Sequence, residues 1–292
     1  MPELPEVEVT RRKLSPIFVG RTIEGVETTA PSYFFLTAPK VLRRRLTGQV
    51  VQDLLRHGKY LVAELGDGSR LLLHLGMTGQ LFSSGVPSVQ LLRHTAGGTL
   101  TAADQSQGFA PDAHTHLCLR MSGEQGDVFF RDVRKFGKVQ WLAPQASCER
   151  LDKLGPDALQ ADGEHLFEAS RKRRIPIKTL LLDQKILAGV GNIYADEALF
   201  RVRVAPLRPA QSLTRKTCDQ LVAEVQAVML RSIETGGSSI RDYINPDGAT
   251  GAFQDERQVY GMTGAPCPKC KRPIEREVIG GRASHFCRRC QR

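Results

Sequence analysis

Tyr60-Leu61-Val62-Ala63-Glu64-Leu65-Gly66-Asp67-Gly68-Ser69-Arg70-Leu71-Leu72-Leu73-His74-Leu75 holds two apolar runs divided by Gly66-Asp67-Gly68. An Asp-Gly pair between two such runs is a hairpin signal, because both residues tolerate the positive φ that reverses a chain without splaying its strands. It predicts antiparallel sheet. Working outward, 21–28, 50–56, 115–121, 127–130 and 139–142 read as further strands, with His57-Gly58-Lys59 as a second break. Ahead of them Pro5 suits the first turn of a helix, and Val7, Leu14, Ile17 and Phe18 recur at about helical spacing until Gly20. The expected class is α+β, with an N-terminal helix plus an antiparallel β-sandwich. The stretch 83–113, with four glycines and two prolines, reads as a long surface excursion.

Beyond Cys148 the pattern turns helical. Helices are predicted over 156–159, 164–172, 176–186, 195–200 and 213–233, the last with Leu221, Val225, Val228, Met229 and Ser232 on one buried face before Gly236-Gly237. The expected domains are 1–147, a β-sandwich; 148–262, helical; and 263–292, a cysteine-bearing finger.

The finger rests on Cys267-Pro268-Lys269-Cys270 and Cys287-Arg288-Arg289-Cys290, with sixteen residues between the pairs. Each C-x-x-C forms a tight knuckle, and two knuckles present four thiolates tetrahedrally to one structural zinc. Strand-like composition over 274–279 and 285–286 makes the element a metal-held hairpin. His285 is not needed in a shell that four thiolates complete. Cys118, Cys148 and Cys218 are read as buried small side chains, and His94, His114 and His116 lack a full ligand set. Seven cysteines, an odd number, suit a reducing compartment.

With 41 Lys plus Arg against 31 Asp plus Glu, the 292-residue chain carries +10, which favours a polyanionic partner. No apolar run approaches the roughly 20 residues a membrane span needs, and Glu3, Glu6 and Glu8 stand where a secretory leader is basic. An intracellular, soluble protein is expected. Basic residues crowd the finger, and Arg282, beside Gly281, is the best single phosphate contact because a guanidinium grips two oxygens.

Met1-Pro2-Glu3-Leu4-Pro5-Glu6-Val7-Glu8, His57-Gly58-Lys59-Tyr60, His74-Leu75-Gly76-Met77-Thr78-Gly79, Arg131-Asp132-Val133-Arg134-Lys135-Phe136-Gly137 and Gly189-Val190-Gly191-Asn192-Ile193-Tyr194-Ala195-Asp196-Glu197 occur in that order ahead of the finger. Together they make the chain resemble the bacterial formamidopyrimidine-DNA glycosylase family along nearly its whole length. The resemblance implies a helix-two-turn-helix motif in the helical domain and a monomer acting on double-stranded DNA that contains oxidised bases or abasic sites. It implies a bifunctional glycosylase and abasic-site lyase, no catalytic metal or organic cofactor, and a cytoplasmic place on bacterial chromosomal DNA. Leu4 and the 236–260 segment resemble the purine-directed branch rather than the endonuclease VIII-like branch that removes oxidised pyrimidines. From a different class, a non-catalytic zinc-finger DNA-binding protein is the alternative.

By itself Pro2 reads as a proline that follows the initiator residue and starts a turn; the resemblance makes it the nucleophile once Met1 is removed, a role its secondary amine suits because α-amino groups titrate around 7.7 to 8.0. Glu3 and Glu6, three apart, read either as helix-start carboxylates or as a proton-relaying pair. The resemblance makes Glu3 the principal acid/base and Glu6 a support for the amine, whereas Glu8 reads as solvent-facing. It assigns Lys59 and Asn192 to DNA phosphates, where residues alone read a turn lysine and a helix cap. Met77, Arg134 and Phe136 are implied to fill the gap left by an extruded base, and the 236–260 segment to cover that base. Tyr194 reads as packing and Lys178 as a phosphate contact at most. Lys135 departs from the family's arginine before the phenylalanine, keeping charge but losing the planar fork.

Overall fold

The computed structural model describes residues 2–84, 109, 111–239 and 243–292. The greater part of the expected 83–113 excursion, with His94, and positions 240–242 of the 236–260 segment lie outside the described residues. The chain divides into two compact units, Met1–Cys148 with Thr235–Ala252, and Glu149–Glu234 with Phe253–Arg292. Thus the 235–252 stretch, expected within the helical domain, packs with the first unit, and the finger belongs with the helices.

In the first unit, α1 (Leu4–Phe18) precedes the strands. The Asp67-Gly68 turn joins β3 (Tyr60–Leu65) to β4 (Arg70–His74), pairing Tyr60 with His74 and Glu64 with Arg70. Gly68 takes φ +79, and Asp67 Oδ1 accepts the Ser69 N–H at 2.9 Å. β2 (Val51–His57) and β8 (Lys138–Leu142) flank that hairpin, giving the order β2-β3-β4-β8. A second antiparallel sheet runs β1-β6-β7-β5, from Ile23–Thr28, Thr115–Met121, Val128–Asp132 and Gly79–Ser83. Alternate residues face inward, as strand geometry requires. Leu61, Ala63 and Leu65 of β3 and Leu71 and Leu73 of β4 share one core with Ile23, Val26, Leu117, Leu119 and Phe130, capped by Val7, Leu14 and Phe18 of α1. The expected sandwich with a helix at its start is what forms.

Two elements go beyond the sequence reading. β5 begins on a glycine directly after the Met77 turn, so its apolar signal is too short to separate from that turn. The second helix, α2 (Pro39–Leu46), buries Leu42 and Leu46 but shows three consecutive arginines, and eight residues display little periodicity.

The second unit contains α3 (Glu149–Asp152), α4 (Gly163–Ser170), α5 (Ile177–Leu182), α6 (Asn192–Arg201) and α7 (Arg215–Glu234). All five residues expected on the inner face of α7 are buried. No helix forms over 156–159: Asp157 bridges Ala188 and the Ala158 N–H donates to the Ala188 carbonyl at 2.9 Å. The four residues from Pro156 to Leu159 do not repay helix nucleation, whereas a tertiary bridge satisfies the backbone at once. Finally, β9 (Glu275–Ile279) and β10 (Arg282–Phe286) form the finger hairpin. Among the described residues no helix is long and apolar enough to cross a membrane.

Candidate active site and metal centre

Pro5 within the first turn starts α1 without wasting an N–H, and Glu3 stands at its N-cap. Pro2 is buried, and Glu3 and Glu6 are 2% and 1% exposed. The Glu6 carboxylate is fixed on both oxygens. Oε2 accepts the Glu3 N–H at 2.8 Å, closing a capping-box arrangement, and Oε1 accepts the Ser238 N–H at 2.9 Å. The same loop donates the Tyr243 hydroxyl to the Glu6 carbonyl at 2.9 Å and places it 2.8 Å from Asn245 Oδ1. Burial drives the Tyr243 pKa up, so the phenol stays a donor. Gly237, at φ +87, lies so close that a Cβ there would meet Glu6 Cγ at 3.3 Å. Gly237, Ser238 and Tyr243 therefore brace Glu6.

Glu8 is not solvent-facing: it is 6% exposed. Its carboxylate receives Arg11, Arg12 and Arg56. Burial pushes this carboxyl up, and the guanidinium bonds more than reverse that, leaving its pKa at about 2. Three arginines within reach outweigh the helix-face pattern that suggested exposure. Lys59 forms with Gly58 the two-residue turn after β2, with His57 paired to Tyr60.

The turn carrying Arg134 and Phe136 is organised by a residue that motif reading passed over. Asp132 is fully buried. Its Oδ1 accepts Thr78 Oγ1 at 2.5 Å and the Arg134 N–H at 3.2 Å, and its Oδ2 accepts the Gly137 N–H at 2.7 Å. Thr78 belongs to the Met77 turn, so one carboxylate ties both turns together. At Gly76, φ +64, a Cβ would fall 2.5 Å from Phe136 C and Gly137 N, so only glycine permits this approach. Met77 is half-buried, Phe136 is 40% exposed, and the Arg134 guanidinium lies 4.6 Å from the Phe136 ring centroid. Lys135 sits between them at φ +56. An acidic residue opening a turn within Arg131-Asp132-Val133-Arg134 was the available signal for Asp132.

In the second unit Asn192 and Arg282 come from distant sequence to neighbouring positions. Gly191, not Asn192, caps α6, and no side chain caps it. Asn192 Nδ2 instead donates to the Ala283 carbonyl at 2.9 Å, beside Arg282, which is exposed. Asn192 Oδ1 is buried and has no partner among the described residues. Lys178 is buried at 0% exposure, bonds the same carbonyl at 2.9 Å and pairs with Asp196 at 2.6 Å. It is a structural strut rather than a phosphate contact. His285 meets Asp196 at 3.2 Å and stays out of the cysteine cluster. Tyr194 is buried, its hydroxyl 2.7 Å from Ser232 Oγ.

The sulfurs of Cys267, Cys270, Cys287 and Cys290 lie within 4.8 Å of one another, with contacts of 3.9 Å for Cys267 to Cys290 and 3.4 Å for Cys270 to Cys287. A tetrahedral zinc with Zn–S bonds near 2.3 Å needs sulfur separations of about 3.8 Å, so the set fits. A backbone N–H of Arg272 draws the Cys270 thiol down to about 7, while burial pushes Cys287 up and Cys290 up to about 12, so it is a bound metal that would hold all four as thiolates. Cys118 and Cys218 are ordinary buried thiols, pushed by burial to about 12 and about 11.

Residues 1–139 match the formamidopyrimidine-DNA glycosylase N-terminal domain, 154–244 the corresponding H2TH domain, and 264–292 a zinc finger found in FPG and IleRS. The formamidopyrimidine-DNA glycosylase of Cereibacter sphaeroides is 42% identical over 298 residues, covering both chains completely. A Lactococcus lactis FPG mutant solved with Fapy-dG containing DNA superposes with a TM-score of 0.83 at 34% identity, over 100% of each chain. A MutM solved with carbocyclic 8-oxo-G containing DNA gives 0.84 at 35%, again over 100% of each chain. Motif order, fold, cysteine centre and full-length similarity converge: the chain belongs to the bacterial formamidopyrimidine-DNA glycosylase family.

Proposed function

We propose that this protein is a bifunctional DNA glycosylase and abasic-site lyase that removes 8-oxoguanine and formamidopyrimidines opposite cytosine from duplex DNA, acting on chromosomal DNA in the bacterial cytoplasm. The observation that carries the reading is Pro2 at the head of α1, beside two buried carboxyls, one of them fixed on both oxygens. Once Met1 is removed, the Pro2 nitrogen bonds to the sugar C1′ as the bond from C1′ to the base breaks, and the base leaves with a proton. Glu3 donates a proton to the ring oxygen as its bond to C1′ opens, and nitrogen and carbon become an iminium. Electron withdrawal by that iminium acidifies C2′, and loss of its proton expels the 3′ phosphate. A second elimination expels the 5′ phosphate. Glu6 holds the helix start in place, and Lys59, Asn192 and Arg282 bind phosphates. Met77, Arg134 and Phe136 fill the space of the extruded base, and the 236–260 segment covers it. Zinc, where bound by the four cysteines, supplies structural rigidity to the hairpin that presents Arg282.

Borohydride reduction on DNA containing 8-oxoguanine traps the iminium as a covalent protein-DNA product, and Pro2→Gly lowers its yield. Repeated failure to trap it with an N-terminus shown to begin at Pro2 would leave a non-catalytic DNA-binding protein. Faster single-turnover release of thymine glycol than of either purine lesion would move the chain to the pyrimidine branch.

A further inference from the structure

Glu8 lies on the same helix as Glu3 and Glu6 but contacts a different part of the first unit. Its Oε1 accepts Arg12 Nε at 2.8 Å and Arg11 Nη2 at 2.8 Å, and its Oε2 accepts Arg11 Nε at 3.0 Å and Arg56 Nε at 3.0 Å. Four donors saturate the carboxylate. Of the three arginines, Arg56 is the most buried, its side chain only 10% exposed. Its other end, Nη1, donates to the Gly58 carbonyl at 3.1 Å. That oxygen shares a rigid peptide plane with the Lys59 nitrogen, so holding it orients the plane from which the Lys59 Cα and side chain depart. Gly58 is at φ +55, and the turn has only two residues to absorb a rotation. The planar fork of arginine is what lets one side chain meet a carboxylate and a carbonyl together.

We infer that Glu8 and Arg56 are positioning residues that fix the Lys59 turn relative to the helix bearing Glu3 and Glu6, so that the phosphate contact and the sugar chemistry are held in one register. The inference rests on the proposed roles of Lys59 and of Pro2 with Glu3. A buried pair among three guanidiniums adds little stability over apolar packing of equal volume. Its specific product is the defined direction of the Gly58 carbonyl.

The test uses Glu8→Gln, which keeps shape and removes charge, and Arg56→Lys, which keeps charge and removes the fork. Each lowers single-turnover cleavage at a preformed abasic site by about tenfold or more, while a protein melting above the assay temperature shows that folding is intact. In the Lys59→Ala background, Glu8→Gln causes no further loss, because both act through one contact. Amide hydrogen exchange at Lys59 and Tyr60 accelerates in DNA-free Glu8→Gln protein, while amides of the 61–65 and 70–74 strands keep their protection. Additive losses in the double variant, or unchanged exchange at Lys59 and Tyr60, overturn the inference. If Lys59→Ala alone leaves cleavage unchanged, the phosphate role of Lys59 fails instead, and the exchange measurement decides the positioning role by itself.

Discussion

Glu8 shows how a single residue departs from its local pattern. In sequence it is one more acid on an acidic helix start; in the fold it is the acceptor for three guanidiniums. Its folded pKa of about 2 lies below the ordinary 4.5. The ionised carboxylate therefore stabilises the fold fully above about pH 4.5, and the contribution disappears as pH falls through about 2. The shift corresponds to on the order of 3 kcal/mol. Trp141, the one tryptophan, lies in β8 and reports unfolding of the first unit. Its fluorescence in urea is expected to show wild type more stable than Glu8→Gln at pH 6, with the gap closing between pH 4.5 and 2. A gap constant with pH would mean the carboxylate is not ionised through those bonds. Asp132 makes the same point within a basic stretch, since its carboxylate shapes two turns at once.

At the scale of elements, the Met77 and Phe136 turns act as one piece because Asp132 bonds both and Gly76 admits the Phe136–Gly137 backbone. Such a rigid base lets an exposed ring project without collapsing onto the sheet. Phe136→Ala is expected to reduce cleavage of an 8-oxoguanine duplex at least tenfold more than cleavage of a preformed abasic site, because gap filling matters most while a base pair is being opened. Equal losses on both substrates would assign Phe136 to folding alone. The motifs drew attention to Met77, Arg134 and Phe136 but not to the carboxylate beneath them. Side chains that project are named by a pattern of apolar residues among glycines and cations, whereas the buried carboxylate beneath them acts through partners 54 and 5 residues away in sequence.

Over the whole molecule, the excess of ten positive charges acts at long range. Binding to undamaged duplex is expected to weaken steeply with salt, since each neutralised phosphate releases counterions and contributes a slope of roughly 0.9 in log affinity against log salt. Arg282→Ala should make that slope shallower by about one, with little dependence on base sequence. An unchanged slope would remove Arg282 from the phosphate contacts.

What the amino-acid order determined by itself is local chemistry. The Asp67-Gly68 hairpin, the five-strand pattern around it, the inner face of α7 and the zinc knuckles were all legible because turn geometry, side-chain periodicity and ligand spacing operate within a few residues, whereas the reading of Pro2 and Glu3 rested on resemblance of the whole opening to the family. Tertiary structure alone decided which unit the 235–252 stretch joins, that Glu8 is buried, that Lys178 is a strut for Ala283, and that Asn192 leaves its helix cap to reach the hairpin. Lys178, Asn192 and the 235–252 stretch depend on partners far along the chain, and at Glu8 the distant partner is Arg56, since Arg11 and Arg12 are neighbours on its own helix. Burial turns a polar side chain from a solvated group into one that must find such partners, and only the packed fold specifies who they are.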